Sequence, residues 1–317
     1  MNIESFLGCR GDIIGIDKKT GEHRMAFRKR PYFEGWYFKH QMNNHVISII
    51  PGRQQDIDGS STAFIQIITE EKSYYITYPK EVFQANRKKF RIQIDANIFS
   101  EHGVVLSIHE QGLDLEGTIE YGPFTPIRYS IMGPFNLIPF LQCRHEIISM
   151  GHEIKGWIRL NGQEYHLDHG RAYIEGDCGD TFPETYFWSQ SNCFKDKSAA
   201  VFVAAADLRI FCWKLRGCIA IIQYHGKEYR FATYWGGKVL ELMKDHILIQ
   251  QGRKCLWVEV NPIAGQELRA PVNGAMSARI KECVTIPTKY RFYEGRKLVF
   301  QGETNWGSYE YVSQLQS

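Results

Sequence analysis

Apolar and polar residues alternate in strand-length runs along most of this chain, the period of β-strands that bury one face. Three pairs of such runs flank a short step ending in glycine, at Gly162, Gly226 and Gly295. Glycine supplies the positive φ that tight hairpin turns require, so these steps predict three hairpins. A further meander, punctuated by Gly103 and Gly112, is expected over residues 90–121.

Strand-length units dominate, and few segments have helical periodicity. Short strands at regular spacing are typical of sandwiches and barrels rather than of an α/β sheet. No apolar run approaches the length of about 20 residues that spans a bilayer. The pattern therefore predicts an all-β protein without a transmembrane segment.

A short internal sequence similarity, called the echo below, indicates two halves with similar folds. When Tyr37 is set on Tyr186, Phe38 falls on Phe187 and Gln41 on Gln190, an offset of 186 − 37 = 149 residues. Between the halves, residues 122–140 contain four prolines, which suits a segment that crosses between domains. We expect an N-terminal β domain over residues 1–140, including this crossing segment, and a C-terminal β domain over residues 141–317.

Composition narrows the function. The 317 residues carry a net charge of +3, too small for a dedicated nucleic-acid binder. No Gly-rich phosphate loop, nucleophile elbow or P-loop is present, and no cofactor is predicted. Residues 1–12 lack the pattern of a signal peptide, and none of the eight cysteines forms a CxxC pair. We expect free thiols and a cytoplasmic protein; the sequence leaves its oligomeric state open.

The candidate chemistry is concentrated in residues 171–194, RAYIEGDCGDTFPETYFWSQSNCF, which we interpret as a strand, a turn and a second strand. Alternation places Tyr173, Glu175 and Asp177 on one side of the first strand. The second strand places Tyr186, Trp188, Gln190 and Asn192 on one side. If both sides face a barrel interior, two carboxylates and two amides project into an aromatic pocket, where burial keeps a carboxylic acid protonated.

Structural roles compete with this hypothesis. Asp177 and Asp180 can hydrogen-bond the turn backbone, and Glu175 can pair with Arg171. The histidines give no clear metal site either, because His166 and His169 fall on opposite faces of a strand.

Two other histidines, His145 and His152, lie next to the proposed domain junction. Their neighbouring acids, Glu146 and Glu153, point away from them, because adjacent residues of a strand face opposite sides. We interpret both histidines as interface residues. We predict no metal site.

Several motifs together resemble the tocopherol cyclase family and its bacterial relatives. They occur in the family's order and span most of the chain: YFEGWYFK (32–39), GPFNLIPF (133–140), HEIISMGHEIKGWIRLNGQEYHL (145–167), AYIEGDCGDTFPETYFWSQSN (172–192) and LRAP (268–271).

This resemblance implies two packed lipocalin-like antiparallel β-barrel or sandwich domains, as in the related carotenoid hydratases and pericyclases. It also implies a cofactor-independent intramolecular cyclase or isomerase, in which an acid protonates a prenyl double bond and a phenol oxygen captures the cation. Glu175 or Asp177 would be the acid and Trp188 and Tyr186 the wall facing the cation, with Gln190 and Asn192 as polar anchors. The expected substrate-binding residues, for a lipophilic small molecule, are Glu34, Trp36, Tyr37, Tyr186, Trp188, Gln190 and Asn192.

The chain departs from the family at two positions. Where the family typically has Lys and Trp, it has Gly176 and Cys178, smaller side chains that we expect to reshape the pocket. This departure favours an alternative, a non-catalytic lipocalin-like carrier of a hydrophobic molecule. Buried Glu175 and Asp177 without a cationic partner would support the enzyme, whereas engaged acids would support the carrier. A third possibility, an interaction module, predicts no cavity above about 300 Å³.

Overall fold

A computed structural model describes most of the chain, namely residues 30–42, 44–86, 89–110, 112–138, 141–210, 213–261 and 264–314. The expectation about a signal peptide concerns residues 1–12, which lie outside the described residues. Within the described ranges, no helix is long and apolar enough to cross a membrane.

The described residues form antiparallel strands and three short 3-10 helices, at Lys80–Val82, Gly133–Leu137 and Thr233–Trp235. The first twelve strands are β1 (Tyr32–Met42), β2 (His45–Gln55), β3 (Ser61–Thr69), β4 (Ser73–Pro79), β5 (Phe83–Asn86), β6 (Arg91–Ile94), β7 (Asn97–Ser100), β8 (Gly103–Glu110), β9 (Leu113–Tyr121), β10 (Cys143–Leu160), β11 (Gln163–His166) and β12 (Gly170–Gly179). The others are β13 (Tyr186–Ser191), β14 (Ala200–Ile210), β15 (Trp213–Tyr224), β16 (Lys227–Ala232), β17 (Lys238–Leu242), β18 (His246–Gln251), β19 (Lys254–Val260), β20 (Gln266–Val272), β21 (Ala275–Glu294) and β22 (Lys297–Val312).

Two sheets contain all of these strands. The first has the order β4-β3-β2-β1-β12-β10-β9-β8-β7-β6-β5, with β11 paired to β10. The second has the order β16-β15-β14-β13-β22-β21-β19-β18-β17, with β20 paired to β21. In each sheet the opening strand lies in the middle and pairs with the closing strand, β1 with β12 and β13 with β22. The echo between Tyr37 and Tyr186 thus marks equivalent strands, and the all-β, antiparallel prediction is confirmed.

The three predicted hairpins are present. At Gly162 and Gly226, both turn residues have positive φ, as a two-residue turn that matches the strand twist requires. At Gly295, with φ 61°, the turn joins β21 to β22. The meander of β6 to β9 is also formed.

Alternation divides the apolar side chains among three cores. Each sheet has its own core, with Phe38 and Phe99 in the first and Phe231 and Phe292 in the second. A third core lies where the two sheets face each other, with Tyr173 from β12 among its members. This inter-sheet core contains the candidate site.

The change of sheet does not occur where the sequence placed the domain boundary. Strands β10 to β12 belong to the first sheet, so the chain changes sheet between Gly179 and Tyr186 and not at residue 140. The prolines of residues 122–140 mark the connection from β9 to β10, which reaches across to the second sheet. There Arg230 bonds the carbonyl of Tyr129, and Tyr234 bonds that of Ile131. Division of the chain into two domains stays a prediction.

One cysteine differs from the expectation of free thiols. Cys178 is disulfide-bonded, so that expectation is wrong at this position. Cys143, Cys193, Cys218 and Cys255 are free cysteines.

Candidate functional site

The two sheets enclose an apolar cavity of about 180 Å³. Residues of β1, β10 and β12 line it from one side, and residues of β13, β14, β15 and β22 line it from the other. Ionisable groups project into it from both sides, among them His145, Glu175, Asp177 and Glu310. Few polar groups in an otherwise apolar, enclosed space are typical of a site for a small organic molecule.

The segment 171–194 contributes to both walls because it is not a hairpin. Its first strand, β12, pairs with β1 and β10, and its second, β13, pairs with β14 and β22. The chain therefore passes from one sheet to the other, and the two strands meet face to face. The indole Nε1 of Trp188 lies 3.3 Å from Glu175 Oε2 across this interface. Acids and aromatic residues come together here as expected, although by packing between sheets.

His145 lies between the two predicted acids. Its Nδ1 is 2.9 Å from Asp177 Oδ1, and its Nε2 is 3.3 Å from Glu175 Oε2. Glu175 also accepts a hydrogen bond from the Tyr173 hydroxyl, and the imidazole stacks on Phe202 with the ring centroids 4.7 Å apart. Both carboxylates are thus held by one imidazole.

Burial opposes the charged form of His145, but the negative charges of Asp177 and Glu175 outweigh it. The pKa of His145 is raised well above its ordinary value. The imidazole is therefore protonated at neutral pH; its Nδ1–H donates to Asp177, and its Nε2 forms an ion pair with Glu175.

Glu310 is the acid on the opposite wall. Burial raises its pKa well above the ordinary value, and the negative charge of Glu282 adds to this effect. The hydroxyl of Tyr186 donates a hydrogen bond of 2.7 Å to its Oε2. Burial accordingly favours the neutral form of the Glu310 carboxyl, which lines the apolar cavity.

A second buried acid lies beside Glu310. Glu282 is the β21 partner of Glu310 and accepts a 2.5 Å hydrogen bond from the Tyr37 hydroxyl. Burial raises the pKa of Glu282 to about 7. Lys39 is completely buried and bonds the carbonyl of Trp306, and burial lowers its pKa to about 8. The interface thus contains several groups that titrate near neutral pH.

Strand alternation decides which predicted residues line the cavity. Tyr37, Tyr186 and Trp188 do, together with Glu175 and Asp177.

Trp36 and Glu34 lie on the other face of β1 and do not line it. Trp36 belongs to the core of the first sheet and stacks on Phe83. Glu34 pairs with Arg53 at 2.5 Å.

Gln190 and Asn192 face the interface beyond the cavity. The Oε1 and Nε2 atoms of the Gln190 amide are both buried without a hydrogen-bond partner among the described residues. The Nδ2 group of Asn192 bonds the carbonyl of Ala172 at 2.8 Å, so this residue ties β13 to β12.

The two departures from the family pattern do not reshape the cavity. Gly176 and Cys178 alternate with Glu175 and Asp177 along β12, so they face away from it, and neither is among the lining residues. The expectation of a reshaped pocket is wrong, because neighbouring residues of a strand point to opposite sides.

Sequence reasoning missed the acids of the second sheet and misjudged His145. Glu282 lies between Ile280 and Val284 at the buried positions of β21, and Glu310 lies between Ser308 and Val312 on β22. An acid at an inward position of an apolar strand is a detectable signal. The partners of His145 come from β12, so no local spacing reveals them.

Metal ligation is one further capacity of these side chains. Ligand atoms of His145, Glu175 and Asp177 lie within 4.8 Å of one another. In the structure they bond to one another as an ion-paired group, which is sufficient to explain their arrangement. The absence of a metal site stays a prediction.

Comparison with known proteins gives one family and one fold. The sequence profile of the tocopherol cyclase-like family matches residues 110–284. The "probable tocopherol cyclase, chloroplastic" of Oryza sativa subsp. japonica is 29% identical over 121 residues, which is 37% of this chain and 26% of that protein. The chain thus spans about a quarter of this curated relative.

Solved structures share the fold at low sequence identity. Kievitone hydratase from Nectria haematococca has a TM-score of 0.54 at 11% identity, covering 90% of this chain and 89% of the other. A protein assigned as AttH from Nitrosomonas europaea also has a TM-score of 0.54 at 11% identity, covering 90% and 93%. These similarities concern the whole described architecture.

Proposed function

The chain belongs to the tocopherol cyclase-like family, and we propose that it is an intramolecular cyclase or isomerase that protonates a lipophilic substrate in the inter-sheet cavity. The observation that carries this proposal is Glu310, a neutral acid facing the ion-paired group of His145, Glu175 and Asp177. A neutral acid opposite a charged, ion-paired group supplies the proton donor and the proton acceptor that acid–base catalysis requires.

The proposed reaction transfers one proton to carbon and one from oxygen. The Glu310 O–H bond breaks as its proton joins the substrate double bond, whose electrons form the new C–H bond. The tertiary cation lies against Trp188 and Tyr186, whose ring faces attract positive charge. A substrate hydroxyl attacks the cation, and its proton passes to the carboxylate of Glu175 or Asp177. Return of a proton to Glu310 completes the cycle with no net consumption.

The assignment of the donor to Glu310 adds to the sequence hypothesis, in which Glu175 or Asp177 donates. Asp177 accepts a hydrogen bond from protonated His145 and Glu175 forms an ion pair with it, arrangements that suit a proton acceptor better than a donor. The original assignment stays a prediction, and variants separate the two.

The cavity volume restricts the substrate. At about 180 Å³ it is below the roughly 300 Å³ of sites that enclose a drug-sized ligand. It accommodates the reacting end of a prenylated molecule, and the rest of the chain extends towards the opening between the sheets.

A prenylated hydroquinone is a direct probe of this proposal. In D₂O, cyclisation yields an isomer of the probe with one deuterium on carbon, whereas hydration adds one water. Chromatography with mass spectrometry detects both products. Deuterium incorporation that requires the folded protein and is lost in Glu310→Gln supports the proposal. Equal conversion by the wild type and the variant excludes Glu310 as the donor.

One observation favours the second candidate, a carrier of a hydrophobic molecule. Glu175 and Asp177 are both engaged by His145, the outcome expected of a carrier. Native mass spectrometry of the purified protein tests it: a co-purifying hydrophobic molecule, released unchanged, supports the carrier. Conversion of that molecule on incubation supports the enzyme.

A further inference from the structure

A second pocket opens at the other end of the sheet interface. It has a volume of about 620 Å³, and it is lined by the ends of β1 and β12, the chain after β13, and β22. Gln41 and Arg171 are register partners on β1 and β12, six residues along each strand from the Gly35 and Asp177 pair at the candidate site. The two pockets therefore lie at opposite ends of the same pair of strands.

The pocket is rich in positive charge. Arg171 lines it from β12, and Lys195 and Lys197 line it from the segment after β13. None of these three cations forms an ion pair among the residues that the structure describes, and Glu303 is the acid at the rim. Concentrated and unpaired positive charge in a concave site attracts anions.

Buried polar atoms in this pocket lack partners. Gln41 is only 8% exposed, yet its Oε1 has no hydrogen-bond partner, and neither has the buried Nε of Arg171. Nearly all buried polar groups in folded proteins are satisfied, so such atoms need a reason. The unpaired N–H of Arg171 requires an acceptor, and the unpaired Oε1 of Gln41 requires a donor. A ligand that carries both kinds of group would satisfy both atoms.

We propose that this pocket binds a small molecule through an oxyanion, a carboxylate or a phosphate, held by Arg171 with Lys195 and Lys197 at the rim, while Gln41 Oε1 accepts from a donor group of the same molecule. The planar guanidinium matches the geometry of either oxyanion. The site is separate from the inter-sheet cavity and does not depend on the function proposed for it.

Isothermal titration calorimetry at constant ionic strength tests the site with inorganic phosphate and with succinate. We expect saturable binding of at least one anion, and the preferred one identifies the class of ligand. Arg171→Gln should weaken binding about tenfold or more, the value of a hydrogen bond to a charged group. Lys227→Gln, an exposed lysine of the second sheet, is the matched control and should bind as the wild type does.

Lys195→Gln/Lys197→Gln alters only exposed side chains, so it tests the site even if Arg171→Gln fails to fold. This double variant should lose affinity and keep the wild-type melting temperature. The proposal is wrong if neither anion shows saturable binding. It is also wrong if the double variant and a folded Arg171→Gln both bind with the affinity of the wild type.

Discussion

Trp188 on β13 donates towards Glu175 on β12 at 3.3 Å, although the two strands belong to different sheets. Only 13 residues separate them in sequence. The short connection thus brings a carboxylate and an indole into one cavity from opposite walls. Because this contact spans the two sheets, any movement of one sheet over the other changes the geometry of the candidate site.

The proton donor can be identified with isosteric variants. Glu310→Gln keeps an oxygen for the Tyr186 hydroxyl but removes the acidic proton, so turnover of the hydroquinone probe should fall about a hundredfold to ten-thousandfold. The measurement is single-turnover product formation. Glu294→Gln, an exposed acid of β21, is the control.

Glu175→Gln and Asp177→Asn should also lower turnover, through loss of the acceptor. The rate of deuterium transfer to carbon distinguishes the roles, since only loss of the donor abolishes it. If Glu175→Gln abolishes that transfer and Glu310→Gln leaves it unchanged, Glu175 is the proton donor and Glu310 is not.

Protonation of His145 should make the protein less stable as pH rises. Its pKa is raised in the folded protein, so above about pH 6.5 the unfolded chain has released a proton that the folded chain retains. The stabilisation is complete below the unfolded pKa and is lost as pH rises through the folded one. Urea unfolding at several pH values should show this slope, at most about 1.4 kcal/mol per pH unit for one proton.

His145→Gln should flatten that slope, while His166→Gln, an exposed histidine, should not. An unchanged slope in His145→Gln would show that the ion-paired group does not hold this proton.

Glu282 should impose its own pH dependence in a lower range. Its folded pKa of about 7 exceeds the ordinary 4.5, so the folded state binds more protons than the unfolded state between these values, and stability declines as pH rises through them. Glu282→Gln retains an acceptor for the Tyr37 hydroxyl and does not titrate. Between about pH 5 and about pH 8 this variant should lose less unfolding free energy than the wild type. Urea unfolding measures both, and an equal loss contradicts the pKa assigned to Glu282.

Substitutions of Trp36 and Trp188, which the sequence assigned to one pocket, should have different effects on stability and on ligand binding. Trp36→Phe leaves a gap in the core of the first sheet and should cost about 1–3 kcal/mol of unfolding free energy, without altering ligand binding. Trp188→Phe removes a cavity wall and the bond to Glu175, so it should weaken binding of the hydroquinone probe. Fluorescence titration and urea unfolding of both variants test this contrast. Weakened binding in Trp36→Phe alone would contradict the assignment of faces.

Periodicity predicted the strands well because the alternation of apolar and polar residues lies within the sequence of each strand. The turns at Gly162 and Gly226 and the inward positions of Glu175 and Trp188 follow from local sequence. Which strands pair does not, since register between β1 and β12 depends on residues about 140 apart in the chain. For that reason the sequence of the segment 171–194 predicts two strands but does not show that they belong to different sheets.

The same limit applies to the candidate site. His145 and Glu310 lie far apart in sequence, and their charge states arise from burial and from neighbours that only the packed sheets supply. Residue type identified Glu175 and Asp177 as acids, but their common partner emerges only from the pairing of β10 with β12.

The pairing of the first strand of each sheet with its last has a consequence for how the protein folds. Strand β1 can complete its hydrogen bonding only after β12 exists, and β13 only after β22 does. Long-range pairings of this kind are slow to form, because loop closure is unfavourable until the contacts that reward it are made. Glu310 lies on β22, so the cavity contains this acid only once β22 has joined the second sheet. A partly folded chain would hold the other residues of the site without that acid.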